Sequence, residues 1–238
     1  MSTALVLSAG GMFAAWEAGV WNVLHRHVRP DLIVGASAGA WNAWALAGGA
    51  APEDLVREWL DPAAHQLLRF GLHRTGILRP DALHRKAREL AERYRPRVPF
   101  GLTLVEAPRM RVRLVRDAEI TWRHLAATCS IPLCFPPVRI EGKYYVDGGL
   151  MGALPLWAAE EMGARRAIAI NAWTKAPFRW LHKLAGRRPS AALSVVRLEP
   201  SRSLGPVVAS MRWNERNIRR WIEWGEQDAN LALTSITM

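Results

Sequence analysis

The sequence predicts an α/β fold, with a parallel sheet carrying helices on its faces. Two observations point there. Strand–turn–helix units follow one another at residues 4–27 and 32–49, the repeating order that builds a parallel sheet. The chain also has 238 residues, 50% of them hydrophobic, enough to bury one sizeable core. It contains no internal repeat, low-complexity tract or linker, so residues 1–238 are expected to form a single domain.

Taken in order, Ala4 to Ser8 is a short apolar strand and Ala9-Gly10-Gly11 a turn. A helix runs from about Met12 to His27, where Pro30-Asp31 breaks the pattern. Between Met1 and Leu24 the only charge is Glu17. A signal peptide would need a basic start, and a spanning helix would not be interrupted by Ser-Ala-Gly-Gly. This stretch is therefore read as a buried strand, a glycine turn and a helix packed on both faces. Leu32-Ile33-Val34 is a second strand, Gly35 to Gly39 a second turn, and an Ala/Trp-rich helix reaches Gly48-Gly49.

The middle reads as helical and basic. Pro52 opens one helix and Asp81 caps another that runs to about Tyr94, and residues 69–97 hold nine Lys/Arg against three acids. Leu102–Val105 and Met110–Arg116 are expected strands, and a short helix from Thr121 ends at Ile131-Pro132. Val138–Ile140 and Lys143–Val146 form a hairpin around Glu141-Gly142 that ends on Asp147-Gly148-Gly149. Pro155 starts a helix, Ala167–Asn171 and Leu193–Leu198 are strands, and one long helix is expected from Pro206 to Leu233.

Lys plus Arg number 32 and Asp plus Glu 21, a net charge of +11. That favours an anionic partner, either nucleic acid or a membrane with acidic lipids. The arginines are scattered without a basic-aromatic strip or a recognisable binding motif, so no nucleic acid partner is expected. Cys129 and Cys134 lack CxxC spacing and a surrounding Cys/His cluster. They read as reduced core thiols of a cytosolic protein with no metal.

Three segments carry chemistry. Gly35-Ala36-Ser37-Ala38-Gly39 is GxSxG between a strand and a helix. That sharp turn lifts a serine hydroxyl clear of the sheet, and Gly35 and Gly39 give the backbone room for it. The Ala38 amide then opens a helix N-terminus, where developing negative charge is stabilised. The alternative is a serine that merely caps a helix. A serine needs a base, and none of the seven histidines stands in a motif-like setting; His182 is the only one after Asp147. Asp147, at a strand end before two glycines, is the stronger candidate: a desolvated carboxylate acts as a general base. The alternative here is an ordinary Asp-Gly turn. Third, the small residues of Ser8-Ala9-Gly10-Gly11-Met12 free backbone amides to face an anion. A dinucleotide loop is disfavoured, since GxGxxG is absent.

Glycine turn, GxSxG and Asp-Gly-Gly, in this order, resemble the patatin-like phospholipase family. The resemblance continues through ATCSIPLCFPPVRIEGKYYVDGGLMGALPLWAAEEMGA, residues Ala127 to Ala164, and into Trp213–Asp228. It implies a three-layer α/β/α sandwich with a central, mostly parallel sheet. It also implies lipid ester hydrolysis through an acyl-enzyme, with Ser37 as nucleophile, Asp147 activating it, amides of Gly10, Gly11 and Met12 holding the oxyanion, and no metal or cofactor. Two departures stand out. Where the family has GGGxRG, this chain has Ala9-Gly10-Gly11-Met12-Phe13-Ala14, and Ala9 and Ala14 restrict φ. Where paired asparagines often precede a proline, it has Gly152-Ala153, so hydrogen bonds they would supply to the aspartate loop are expected to be missing.

The expected substrate is a phospholipid or other lipid ester, with phospholipase A or lysophospholipase-like chemistry. A soluble carboxylesterase or thioesterase and a non-catalytic lipid-binding module are the alternatives. Most of the 12 tryptophans, Trp16, Trp21, Trp41 and Trp44 among them, read as core. Lys175–Arg188, a basic stretch around Trp180, reads either as a solvated loop or, if helical, as an amphipathic contact with an anionic membrane. The expected location is cytoplasmic, with a peripheral place at the inner membrane surface under the second reading. The sequence does not show what covers the site; the basic helical region from Pro52 to Arg97 is where a lid could lie.

Overall fold

The computed structural model describes residues 2–68, 70–73, 76–174 and 187–237. The first unit is β1 (Thr3–Leu7), a 3-10 turn at Gly11–Phe13 and α1 (Ala14–Leu24); the second is β2 (Leu32–Gly35) and α2 (Ala38–Ala47). The basic middle holds α3 (Pro52–Leu60), a 3-10 segment (Pro62–Leu68), strands β3 (Phe70–His73) and β4 (Gly76–Leu78), and α4 (Pro80–Arg93). Then come β5 (Phe100–Ala107), β6 (Arg111–Arg116), α5 (Trp122–Ala127), β7 (Val138–Ile140), β8 (Lys143–Asp147), α6 (Leu156–Glu161), β9 (Arg166–Ile170), β10 (Ser194–Leu198), α7 (Val207–Ser210) and α8 (Glu215–Thr237).

Period-two alternation in the inner strands explains the layers. Leu5, Leu7, Ile33, Ile168 and Ile170 pack into one core with α1, α2 and α8. Their neighbours Ala4, Val6, Leu32, Val34, Ala167 and Ala169 pack on the other face against Leu156, Trp157, Ala158 and Ala159 of α6. Both faces of the sheet are thus covered, and the strands read as continuous apolar runs. Trp16, Trp21, Trp44, Trp157 and Trp221 are buried, whereas Trp41 is only partly so.

The sheet order is β10-β9-β1-β2-β5-β8-β7, with β6 also on β5. It is parallel from β10 to β5 and antiparallel beyond, because the segment after β5 returns through hairpins. β5 is the hinge between the two halves. β6 runs along its residues Gly101–Glu106, while β2 pairs with Phe100–Leu102 and β8 with Leu104–Ala107. A strand has two edges, so β2 and β8 share the second edge end to end. Their C-terminal ends meet at Thr103.

Four details differ from the sequence reading. Asp81 is not a cap: Arg79 holds that position, Pro80 starts α4, and Asp81 sits in the first turn, 3.0 Å from Arg79. The middle is not wholly helical. β3 and β4 pair antiparallel, in a stretch where Gly71 and Gly76 weaken helix. α5 stops at Ala127, where Ser130 Oγ donates to the Ala126 carbonyl (2.9 Å) in place of a continuing helix. The expected Pro206–Leu233 helix is broken into α7 and α8, because Asn214 Oδ1 accepts from the Asn217 amide (3.1 Å) and caps a fresh start.

Candidate active site

Ser37 leaves the end of β2 with φ 52° and ψ −132°. A non-glycine residue with positive φ stores strain on the order of 1–3 kcal/mol, and here it turns the side chain off the sheet before α2 begins. Gly39 lets that turn form: a Cβ there would lie 2.1 Å from the Ser8 carbonyl oxygen. The Ser37 amide donates to Thr128 Oγ1 (3.0 Å), and Thr128 Oγ1 donates to the Thr103 carbonyl (3.0 Å). The Ser37 backbone is thereby pinned to the point on β5 where the two strand ends meet.

Asp147 is the last residue of β8, arriving from the opposite direction. Its amide donates to the Ser130 carbonyl (3.0 Å), and Gly148 lies so close to β5 that a Cβ would sit 2.0 Å from the Thr103 oxygen. The result is a direct contact: Ser37 Oγ donates to Asp147 Oδ2 at 2.6 Å, while Asp147 Oδ1 accepts from the Gly149 amide at 2.7 Å. Both residues are 4% exposed. Burial raises the Asp147 carboxyl to about 7, against the pull of its bonds from Ser37 and Gly149. Burial and the Asp147 charge push the Cys129 thiol up, away from the thiolate form, and Cys129 lines the cavity beside Ser37.

Among the described residues, no histidine nitrogen bonds to Ser37 or Asp147. His84 packs edge-on against Trp122, and His124 accepts from the Thr121 amide at the start of α5. His182 lies outside the described residues. No group of three or more His, Cys, Asp or Glu among the described residues could hold a metal ion.

Two cavities open on Ser37. An apolar one of about 100 Å³ is lined by Gly11, Met12, Ala38, Trp41, Leu55, Trp59, Leu83, Leu90, Cys129 and Phe135, among others. A wider one of about 400 Å³ is lined by Ala9, Gly10, Gly11, Asp147, Leu133, Trp173, Val207 and Met211, among others. Gly10, Gly11, Met12 and Ala38 therefore face the space in front of Ser37, and their amides open helical turns that leave the first N–H groups without intrahelical acceptors. The alanines of the glycine turn sit without strain: Gly11 takes the one positive φ (54°), and Ala14 is helical at −64°. Phe13, which stands where the family has arginine, packs edge-on against Trp221 at 5.0 Å. The aspartate loop is tied back despite Gly152-Ala153, because the Ala9 amide donates to the Ala153 carbonyl (2.7 Å).

The family model for patatin-like phospholipases matches residues 5–160. The chain belongs to this family. Among solved structures, the patatin-like chain is similar to VipD from Legionella pneumophila: 12% identity, TM-score 0.62, 98% of this chain and 67% of that one covered. A second match is the type III effector protein ExoU: 13% identity, TM-score 0.47, 100% of this chain and 53% of that one. This chain thus spans about two thirds of the first and about half of the second. The VipD match shows a shared α/β architecture.

Sequence reasoning missed the groups that hold the patatin-like site in place. Thr128 is one. Glu17 is another: it is fully buried, and Ser8 N and Ser8 Oγ each lie 3.0 Å from its Oε1. Asn42 Nδ2 lies 3.2 Å from its Oε2, and Trp59 Nε1 donates to Asn42 Oδ1 at 2.9 Å. Burial raises Glu17 to about 8, so near neutral pH it is protonated. Ser8 Oγ also lies 2.9 Å from the Ala9 carbonyl and accepts from the Ala172 amide at 2.9 Å. A lone charge in a 24-residue apolar stretch was the available signal.

The expected membrane stretch, Lys175–Arg188, falls outside the described residues except for its last two. Of these, Arg187 pairs with Glu161 (2.8 Å) and lies over the Trp157 ring (4.4 Å). No helix among the described residues is long and apolar enough to cross a membrane.

Proposed function

We propose that the protein hydrolyses carboxylic esters of lipids through an acyl-enzyme on Ser37, with Asp147 as general base. The observation that carries this reading is the 2.6 Å hydrogen bond from Ser37 Oγ to a buried Asp147 carboxylate raised to about 7. Asp147 takes the Ser37 proton as Oγ attacks the ester carbonyl carbon. The negative charge that forms on the carbonyl oxygen falls among the amides of Gly10, Gly11, Met12 and Ala38. Asp147 then hands its proton to the departing alkoxide. Water enters, gives a proton to Asp147 and attacks the acyl carbon; Ser37 leaves and recovers the proton. The apolar cavity takes the acyl chain and the wider cavity the alcohol side. Leu133, 84% exposed, and Val207 line the wider cavity, and Val208, 69% exposed, follows them; these apolar groups meet the lipid surface.

Reaction with a fluorophosphonate probe tests the reading. The intact protein is labelled, Ser37→Ala is not, and Asp147→Asn is labelled at least 10²-fold more slowly, the order expected for losing a general base. An unlabelled intact protein overturns it. Hydrolysis of short soluble esters with none of phospholipid vesicles would move the substrate from lipid to soluble acyl esters.

A further inference from the structure

The apolar cavity in front of Ser37 ends on charge. Glu58 of α3 and Lys86 of α4 form an ion pair across it, each about one-fifth exposed at the side chain. Arg93 also bonds Glu58, and Arg93 reaches Asp54 at 3.8 Å. Beyond the pair lies a polar cavity of about 180 Å³ that Ser37 does not line. The two cavities share a wall made of Glu58, Ala64, Leu67 and Lys86. On the Ser37 side that wall faces Leu55, Leu83 and Leu90; on the far side it faces Asp61, Arg85 and Glu89.

We infer that the Glu58–Lys86 pair is the end stop that sets the length of acyl chain this protein accepts. The inference rests on the acyl-hydrolase reading of Ser37. An alkyl chain advancing from the ester gains with each methylene while it meets apolar wall. To go further it must separate a pair of ions that hold each other in a partly desolvated place, and the space beyond offers it polar groups and water. The gain therefore stops at the pair. Helices α3 and α4 meet here through ions, which gives the stop a definite position: Glu58 is held from two sides, by Lys86 and Arg93. These helices lie in the Pro52–Arg97 region, where a lid could lie.

The test is the chain-length profile of kcat/KM on p-nitrophenyl esters from C4 to C16, each normalised to the C4 ester of the same variant. In the intact protein kcat/KM rises about fourfold per methylene, the factor that corresponds to ~0.8 kcal/mol per buried CH2, up to a break and then levels or falls. In Lys86→Ala and in Glu58→Ala/Lys86→Ala the break moves to longer chains by two carbons or more. In Ala64→Phe, which thickens the same wall, it moves to shorter ones. Lys86→Met, which keeps the side-chain length and leaves Glu58 with Arg93, serves if the alanine variants do not melt cooperatively; it too moves the break to longer chains. A break that stays where it was in folded variants overturns the end stop. Failure of the intact protein to take a fluorophosphonate at Ser37 is a separate result: it overturns the hydrolase reading, and the end stop with it.

Discussion

A carboxylate that takes a proton from serine near neutral pH works poorly at its ordinary pKa, and burial lifts Asp147 to about 7. The group accepts a proton only once it has lost its own. The value of kcat/KM on a soluble ester is therefore expected to rise tenfold per pH unit below about 7 and to level above it. Asp147→Asn is expected to abolish that ionisation; its persistence would assign it to another buried acid such as Glu17, which burial raises to about 8. A profile flat from pH 5.5 to 8 would remove Asp147 from the role of base. Ser37 and Asp147 were readable in the chain because their neighbours are constrained too: glycines must stand beside them for the turns to close. Thr128 and Glu17 were not readable as support. A threonine near the end of a short helix has no pattern of its own, and its use emerges only where β2 and β8 converge. Glu17 announced that it was unusual without saying which group it holds.

At the level of elements, periodicity located the strands because both faces of the inner sheet are buried, which leaves short apolar runs between glycine and proline breaks. It could not show that β8 pairs with β5 rather than extending the parallel half, since the pairing partners lie far apart along the chain. The ends of helices were the weakest point. Asn214 restarts a helix inside what reads as one periodic stretch, and nothing in period alone distinguishes the two. The link from Thr128 to both Ser37 and Thr103 joins α5, the turn after β2, and β5. Thr128→Val keeps the shape but leaves a buried N–H and a buried carbonyl without partners, a cost of about 1–3 kcal/mol. Urea unfolding is expected to show that loss. Fluorophosphonate labelling of the folded variant is expected to slow more than tenfold, because the Ser37 turn loses its anchor. Unchanged labelling would reduce Thr128 to a packing residue.

For the whole molecule, the proposed reading joins charge and apolar rim. A net charge of +11 favours an anionic partner, Leu133 and Val207 line the wider cavity that opens on Ser37, and Val208, 69% exposed, follows Val207 outside that lining. Val208→Asp, outside the cavity lining, is expected to lower turnover of vesicles containing acidic lipid tenfold or more while changing turnover of a soluble short ester less than twofold. An equal fall on both substrates would remove Val208 from the contact with lipid. The net charge was plain from composition. The rim was not, because Leu133 sits in an apolar stretch that gives no sign of facing out.

β5 holds Ser37 on one half of an edge and Asp147 on the other, although they stand 110 positions apart in the chain. The strand thus acts as a gauge block: slipping β8 by one residue displaces the carboxylate by roughly 3.3 Å and turns it to the opposite face. It also makes the proposed pair late in the chain: the anchor Thr128 and the carboxylate Asp147 both follow β5, so under the proposed reading serine and base are brought together only after β1, β2 and β5 have been made.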